Sequence, residues 1–284
     1  MPRKRARHDN HGDLISGLPD DILGTIISLL PTREGGKTQL LARSWRPLWR
    51  YAPVNICCDR PICSKQYKRI SVISDLLSIH RGTTRRFNLD PIRFRTDEEK
   101  KVLESWFRSR SFAKLEELII GFADSKYQLP SSVLLCTSAL VVAKISRCVF
   151  PKEVTDLPSF PLLKELSLCS VYIAEDVFHG LLSRCHVLES LYLEGLNDTG
   201  SFEISSETLT SVGLGNCILK QGELIIKYAP RLERLLLPRP SRGPYILRVI
   251  EAPKLQILGL LSPCISQLEI ANTLFEVGAP TTCS

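Results

Sequence analysis

The chain lacks any apolar run near the ~20 residues that a bilayer-spanning helix requires, so no segment reads as a membrane span. Its N-terminus also lacks the apolar stretch of a secretion signal. It reads Pro2-Arg3-Lys4-Arg5-Ala6-Arg7, then Asp9-Asn10-His11-Gly12-Asp13. The expectation is an intracellular protein of nucleus or cytoplasm, and the basic hexamer suits a nuclear-localisation signal as well as a solvated tail. Histidine is scarce, at 5 in 284 residues, and no Ser/His/Asp order or acid pair stands in a catalytic motif. A non-catalytic protein without a cofactor is therefore expected. There are 10 cysteines, and in a reducing compartment they are free and buried rather than paired. Only Cys57-Cys58 with Cys63 cluster, without a second ligand pair at zinc-like spacing, so no metal is expected. Gly36-Lys37-Thr38 imitates the end of a phosphate-binding loop, but Pro31 stands where that loop needs its first glycine. Basic and aromatic residues do not interleave on one regular element, which argues against nucleic acid.

The charge is uneven. Residues 1–110 carry 22 Lys and Arg against 12 Asp and Glu; the remainder carries 15 against 18. A basic front third favours an acidic protein partner if it is more than a solvated face.

Residues 14–50 have the pattern of three short helices. Pro19 fits a first helical position, where a missing N–H is harmless, and Asp20 and Asp21 suit the positive end of the helix dipole. Leu18, Ile22, Ile26 and Leu29 or Leu30 recur at three- and four-residue steps and form an apolar stripe, widened by Leu23 and Ile27. Pro31 ends this helix and Thr32 can cap the next. Gly35-Gly36 is costly inside a helix, so the second helix starts late, at Lys37, or docking is weakened. Ser44 can cap a third helix bearing Trp45, Leu48 and Trp49. So short a segment buries too little to be stable alone. Its apolar surface either meets a partner or covers the end of a larger array.

Leu18-Pro19-Asp20-Asp21-Ile22-Leu23, Ile26, Leu29-Leu30-Pro31, Ser44-Trp45-Arg46 and Leu48-Trp49 resemble an F-box. The F-box docks a substrate receptor onto the Skp-type adaptor of a cullin ubiquitin ligase. The resemblance implies adaptor contacts at Leu18, Pro19, Ile22, Leu23, Ile26, Leu30, Leu40, Trp45, Leu48 and Trp49.

Behind this segment the pattern L-x-x-L-x-L repeats. It begins at Leu115, Leu140, Leu163, Leu188, Leu209, Leu232 and Leu255, in steps of 25, 23, 25, 21, 23 and 23 residues. These fall within the period of leucine-rich repeats. Ile265-Leu268-Ile270 follows after ten residues, too soon for a full repeat. Return helices are expected at Val177, Phe178, Leu181, Leu182 and Cys185, and at Leu224, Ile225 and Tyr228. The turn position that favours Asn or Cys holds Cys148 and Cys217, but also Val171 and Leu196. Residues 51–112 read as longer, degenerate repeats: strands at Val54-Asn55-Ile56 and Phe87-Asn88-Leu89, helices at Ile70–Leu77 and Val102–Phe107.

The expected organisation is a basic tail (1–13), an F-box (14–50), degenerate repeats (51–112), leucine-rich repeats (113–271) and a C-terminal tail (272–284). The fold class is α/β: a three-helix module, then a solenoid with parallel strands on its concave face and helices or irregular turns on its convex face. No polar terminal cap is evident, so a frayed last repeat or a shortened form is expected. Side chains alternate along a strand, which puts the third, fifth and seventh pattern positions on the concave face. Lys144, Glu165, Tyr192, Glu194, Arg234 and Leu236 are the candidate target contacts there.

Residues 14–275 resemble plant-type F-box/leucine-rich-repeat proteins. The resemblance implies a substrate receptor of a Skp–cullin–F-box ubiquitin ligase, with the adaptor at the front and an unidentified target protein on the repeats. Two alternatives stay open: an interaction scaffold that no longer engages a ligase, and a small-molecule sensor.

Overall fold

The computed structural model describes residues 15, 17–57, 68–136, 138–152, 159–198, 202–215, 218–219, 223–236, 246–259, 267–271 and 273–276. Helix α1 spans Asp20–Leu29, α2 Thr32–Lys37 and α3 Trp45–Tyr51, with a 3-10 turn at Thr38–Leu40. Pro19 is the residue before α1 rather than its first, and its carbonyl accepts from the Ile22 and Leu23 amides. Helix α2 contains both glycines, so it starts early, at Thr32, and not at Lys37. The reason is packing. The Trp49 ring lies close over Gly35 and Gly36, and burying that indole outweighs their poor propensity. Neither Thr32 nor Ser44 caps a helix with its side chain.

Leu23, Ile27, Trp45, Trp49 and Ala52 form a small core of their own. Leu76, from the next helix, packs against both this core and the main one.

Thereafter strands and connections alternate. The strands are β1 Val54–Cys57, β2 Thr84–Ile92, β3 Glu117–Phe122, β4 Val142–Val149, β5 Glu165–Tyr172, β6 Ser190–Glu194, β7 Asn197–Asp198, β8 Phe202–Ser205, β9 Ser211–Leu214, β10 Ile218–Leu219, β11 Glu223–Tyr228, β12 Arg234–Leu236, β13 Ile246–Val249, β14 Ile257–Leu258, β15 Gln267–Ile270 and β16 Thr273–Glu276. The later helices are α4 Arg69–Ile79, α5 Asp97–Phe107 and α6 Glu175–Leu182. Thr96 caps α5, its side chain accepting from the Glu99 amide, and three acids follow in the first turn.

One sheet runs β1-β2-β3-β4-β5-β6-β9-β12-β14, and its neighbours pair in parallel. Glu117, Val142, Glu165, Ser190, Ser211, Arg234 and Ile257 stand side by side. Every one is the third position of its pattern, so sequence period and sheet register coincide. From Leu115 to Leu235 no described pattern residue exposes more than 4 % of its surface. Each such leucine contributes roughly 1.5–3 kcal/mol by burial, and stacking makes the core continuous. Leu237 and Leu260 lie outside the described residues.

The opposite wall changes character along the chain. It is helical at α4, α5 and α6, then becomes a second sheet, β16-β15-β13-β11-β8. The helix expected at Leu224, Ile225 and Tyr228 is thus strand β11. Leu224 and Ile226 are buried while Ile225 and Lys227 are not, a period of two rather than 3.6. The early Leu268-Ile270 signal has the same explanation. It is strand β15 of this second wall, paired with β13, and not a new concave strand. Antiparallel β16 pairs along its edge.

Candidate functional site

Two surfaces hold the residues singled out from sequence. The first is the outer face of the helical module. Its apolar positions divide sharply. Leu23, Trp45 and Trp49 turn inward, at 1, 2 and 8 % exposure, so these three of the ten expected adaptor contacts hold the helices together instead of facing outward. Leu18, Pro19 and Ile22 are exposed, and Leu40 is 84 % exposed. Ile26, Leu30 and Leu48 are half-buried. Leu29 and Leu41, outside the expected set, are exposed as well. Ile22 and Leu29 fall on one side of α1 by their spacing of seven, and Leu18 lies just ahead of the helix. The structure thus leaves apolar side chains uncovered on α1 and a second apolar pair, Leu40 and Leu41, uncovered at the end of the 3-10 turn. Among the described residues, no part of the solenoid seals either set. Singly exposed leucines are ordinary on a protein surface; here several large apolar residues are exposed on one small module.

The second surface is the concave sheet. Lys144, Glu165 and Arg234 are exposed on it, and Leu236 is 37 % exposed. Tyr192 and Glu194 are half-buried and joined, the Tyr192 hydroxyl donating to Glu194 Oε2 at 2.8 Å. They lean across the next strand, where a Cβ on Gly213 or Gly215 would overlap them. Those glycines let the pair lie flat on the sheet, so neither side chain stands free like Lys144.

One concave cluster escaped the sequence reading. The Arg147 guanidinium pairs with the Asp90 carboxylate, its Nε donates to the Phe122 carbonyl at 2.7 Å, and Ser146 Oγ donates to Asp90 Oδ2 at 3.2 Å. Gly121 lies beneath, where a Cβ would overlap Ser146 and Asp90. Gly121 and Ser146 occupy seventh pattern positions and were readable. Asp90 belongs to a degenerate repeat whose register carries no leucine signature. Arg147, Ser170 and Gly195, the eighth positions of three successive repeats, all adopt positive φ, at 51, 54 and 59°.

Chemistry is quiet on both surfaces. Burial pushes the Cys148 and Cys185 thiols up to about 12 and Cys136 up to about 11, so they stay protonated at neutral pH. Among the described residues no group of three or more His, Cys, Asp and Glu is placed to hold a metal ion. Cys58, Cys63 and the basic tail lie outside the described residues. No described helix is long and apolar enough to cross a membrane.

Residues 103–284 match a family described as the LRR repeats of FBD-associated F-box protein At5g56370. The chain belongs to the FBD-associated F-box family with leucine-rich repeats. In Arabidopsis thaliana, the putative FBD-associated F-box protein At5g50270 is 31% identical over 212 residues, covering 71% of this chain and 51% of its own length. FBD-associated F-box protein At5g38590 from the same plant is 27% identical over 284 residues, 96% of this chain and 67% of its own. The putative F-box/FBD/LRR-repeat protein At5g22610 is 26% identical over 259 residues, covering 87% and 48%. The chain spans about half the length of the first of these relatives. No solved structure matches it.

Proposed function

We propose that this chain is the substrate-recognition subunit of an SCF-type ubiquitin ligase. Its F-box binds the Skp-type adaptor and, through it, a cullin. Its concave sheet holds a target protein by Lys144, Glu165, Tyr192, Glu194, Arg234 and Leu236. The observation that carries the reading is the uncovered apolar set of Leu18, Ile22, Leu29, Leu40 and Leu41 on a module whose own core is already complete. Surface of that kind is stabilised by a partner's apolar face.

The chain needs no catalytic group for this role. Holding a target lysine near a ubiquitin-charged enzyme turns an encounter between separate molecules into one within a complex, and proximity supplies the acceleration. The reactive cysteine belongs to another protein of the assembly.

The test is co-purification of the full chain with a Skp-type adaptor. Ile22→Asp with Leu40→Asp puts charge into the strip without touching the module core. We expect affinity to fall by at least ~30-fold, the loss of a hot-spot contact. Retention of the adaptor by a folded double variant overturns the docking surface.

A further inference from the structure

Helices end with carbonyls that lack intrahelical partners, and these must be satisfied from elsewhere. Helices α1 and α3 of the F-box both take those partners from the solenoid. Asn55, on the first strand, donates from Nδ2 to the Ser28 carbonyl at 2.6 Å and to the Leu30 carbonyl at 3.2 Å, at the end of α1. The Thr32 hydroxyl answers by donating to the Asn55 carbonyl. Pro31, just before α2, makes an isolated parallel bridge with Asn55.

At the end of α3 the donors come from the segment after α4. His80 Nε2 donates to the Trp49 carbonyl at 2.8 Å, while the Arg81 and Gly82 amides donate to the Arg50 carbonyl at 2.9 and 3.1 Å. The Gly82 amide also points at His80 Nδ1, 3.1 Å away, which makes His80 a neutral Nε2–H imidazole. Its ring stands edge-on to Trp49 with centroids 4.9 Å apart. Only glycine fits at position 82, because a Cβ would overlap the Tyr51 and Ala52 carbonyl oxygens. Asn55 and His80 are each no more than 5 % exposed.

Buried hydrogen bonds at two separate helix ends define one relative orientation of module and solenoid, since a hinge at one end would break those at the other. We propose that Asn55 and His80 are positioning residues that lock the F-box onto the solenoid as one rigid body. They thereby fix which part of a bound protein faces the ubiquitin donor. The rigid joint stands on the geometry alone; its consequence for ubiquitin rests on the receptor reading above.

The experiment has two arms on the full chain. In the first, spin labels carried by non-canonical amino acids replace Arg33 in α2 and Lys227 in β11, both exposed. Wild type gives one narrow distance distribution. Asn55→Asp keeps the volume but replaces the amide donor with an acceptor, and His80→Leu removes both ring bonds; each widens the distribution about twofold or more as the joint opens locally. His80→Gln, whose amide can donate and accept at both sites, stays narrow. In the second arm, the adaptor, a cullin and a charged ubiquitin-conjugating enzyme are added, and modified lysines of the chain are mapped by mass spectrometry. Wild type concentrates ubiquitin on a few lysines, whereas Asn55→Asp spreads it over more at unchanged adaptor affinity. A broad distribution in wild type, or an unchanged one in both Asn55→Asp and His80→Leu, overturns the lock, and the wild-type result stands even if neither variant folds. Should wild type fail to bind the adaptor, the receptor reading falls while the distance arm still decides the joint.

Discussion

The F-box module and the solenoid behind it treat apolar residues in opposite ways. The solenoid buries its described pattern residues from Leu115 to Leu235 almost completely, because each repeat stacks on another of the same register. The module buries Leu23, Ile27, Trp45 and Trp49 around a small centre and leaves Ile22, Leu29, Leu40 and Leu41 in solvent. Repetition makes an array self-sufficient, since the next repeat is the partner. A lone three-helix unit has no such neighbour on its outer side. What it gains from the solenoid is backbone satisfaction at the ends of α1 and α3 and the packing of Leu76 on its core, not cover for its outer leucines.

The largest effect that tests this contrast is a pair of leucine truncations. Leu191→Ala removes a fully buried side chain from the repeat core and is expected to cost ~2–5 kcal/mol. Leu40→Ala, at 84 % exposure, is expected to stay within ~0.5 kcal/mol. Urea unfolding measures both. Equal costs would mean that the strip on the module is structural, not a surface awaiting a partner.

A smaller effect concerns pH at the joint. Burial disfavours the His80 cation, and although its hydrogen bond to the Trp49 carbonyl opposes that, the net shift is below the ordinary value near 6.5. The unfolded chain then takes up the proton first as the solution is acidified. The contribution of a neutral His80 is fully present above about pH 6.5 and declines as pH falls below it toward the folded value. In a Trp106→Phe background, emission from Trp45 and Trp49, followed against urea from pH 7.5 to 5.5, should show the module loosening. His80→Gln should remove that part of the slope. An unaltered slope in the variant would place the sensitive group elsewhere.

Much of this arrangement was written in the residues, and the failures have physical causes. The concave register was legible because Leu163-Leu166-Leu168 and its equivalents repeat one spacing, and stacking requires nothing more. The convex wall was not. Leu224, Ile225 and Tyr228 fit a helix face as well as Leu224 and Ile226 fit a strand face, and only the adjoining strands β8 and β13 choose between them. On the module, periodicity found the apolar positions, but which of them face inward depends on how three helices pack. Trp45 and Trp49 went to the core, and Leu29 and Leu41 stayed outside. The joint left no signature at all. Asn55 reads as an ordinary polar residue in a strand, and its meaning lies in carbonyls more than twenty residues upstream.

The smallest effect sharpens the comparison through one substitution made twice. Gly36 sits inside helix α2, and a Cβ there would meet the Trp49 ring at 3.8 Å, an ordinary contact. Gly36→Ala should therefore stabilise the module by up to ~1 kcal/mol through helix propensity, with adaptor binding retained or strengthened. Gly195 follows a concave strand at φ 59°, and its Cβ would stand 3.1 Å from Ser170 Oγ. Gly195→Ala should cost roughly 1–2 kcal/mol, the strain of an L-residue in the left-handed region. The same methyl group thus helps where packing has tolerated a glycine and harms where the backbone at the end of a repeat strand turns left-handed. Arg147 and Ser170 hold that conformation without glycine. Arg147 is anchored by Asp90 and the Phe122 carbonyl, which offsets its strain. If Gly195→Ala proves neutral in urea unfolding, the eighth position of these repeats is adaptable, and the contrast with the module narrows to the leucines alone.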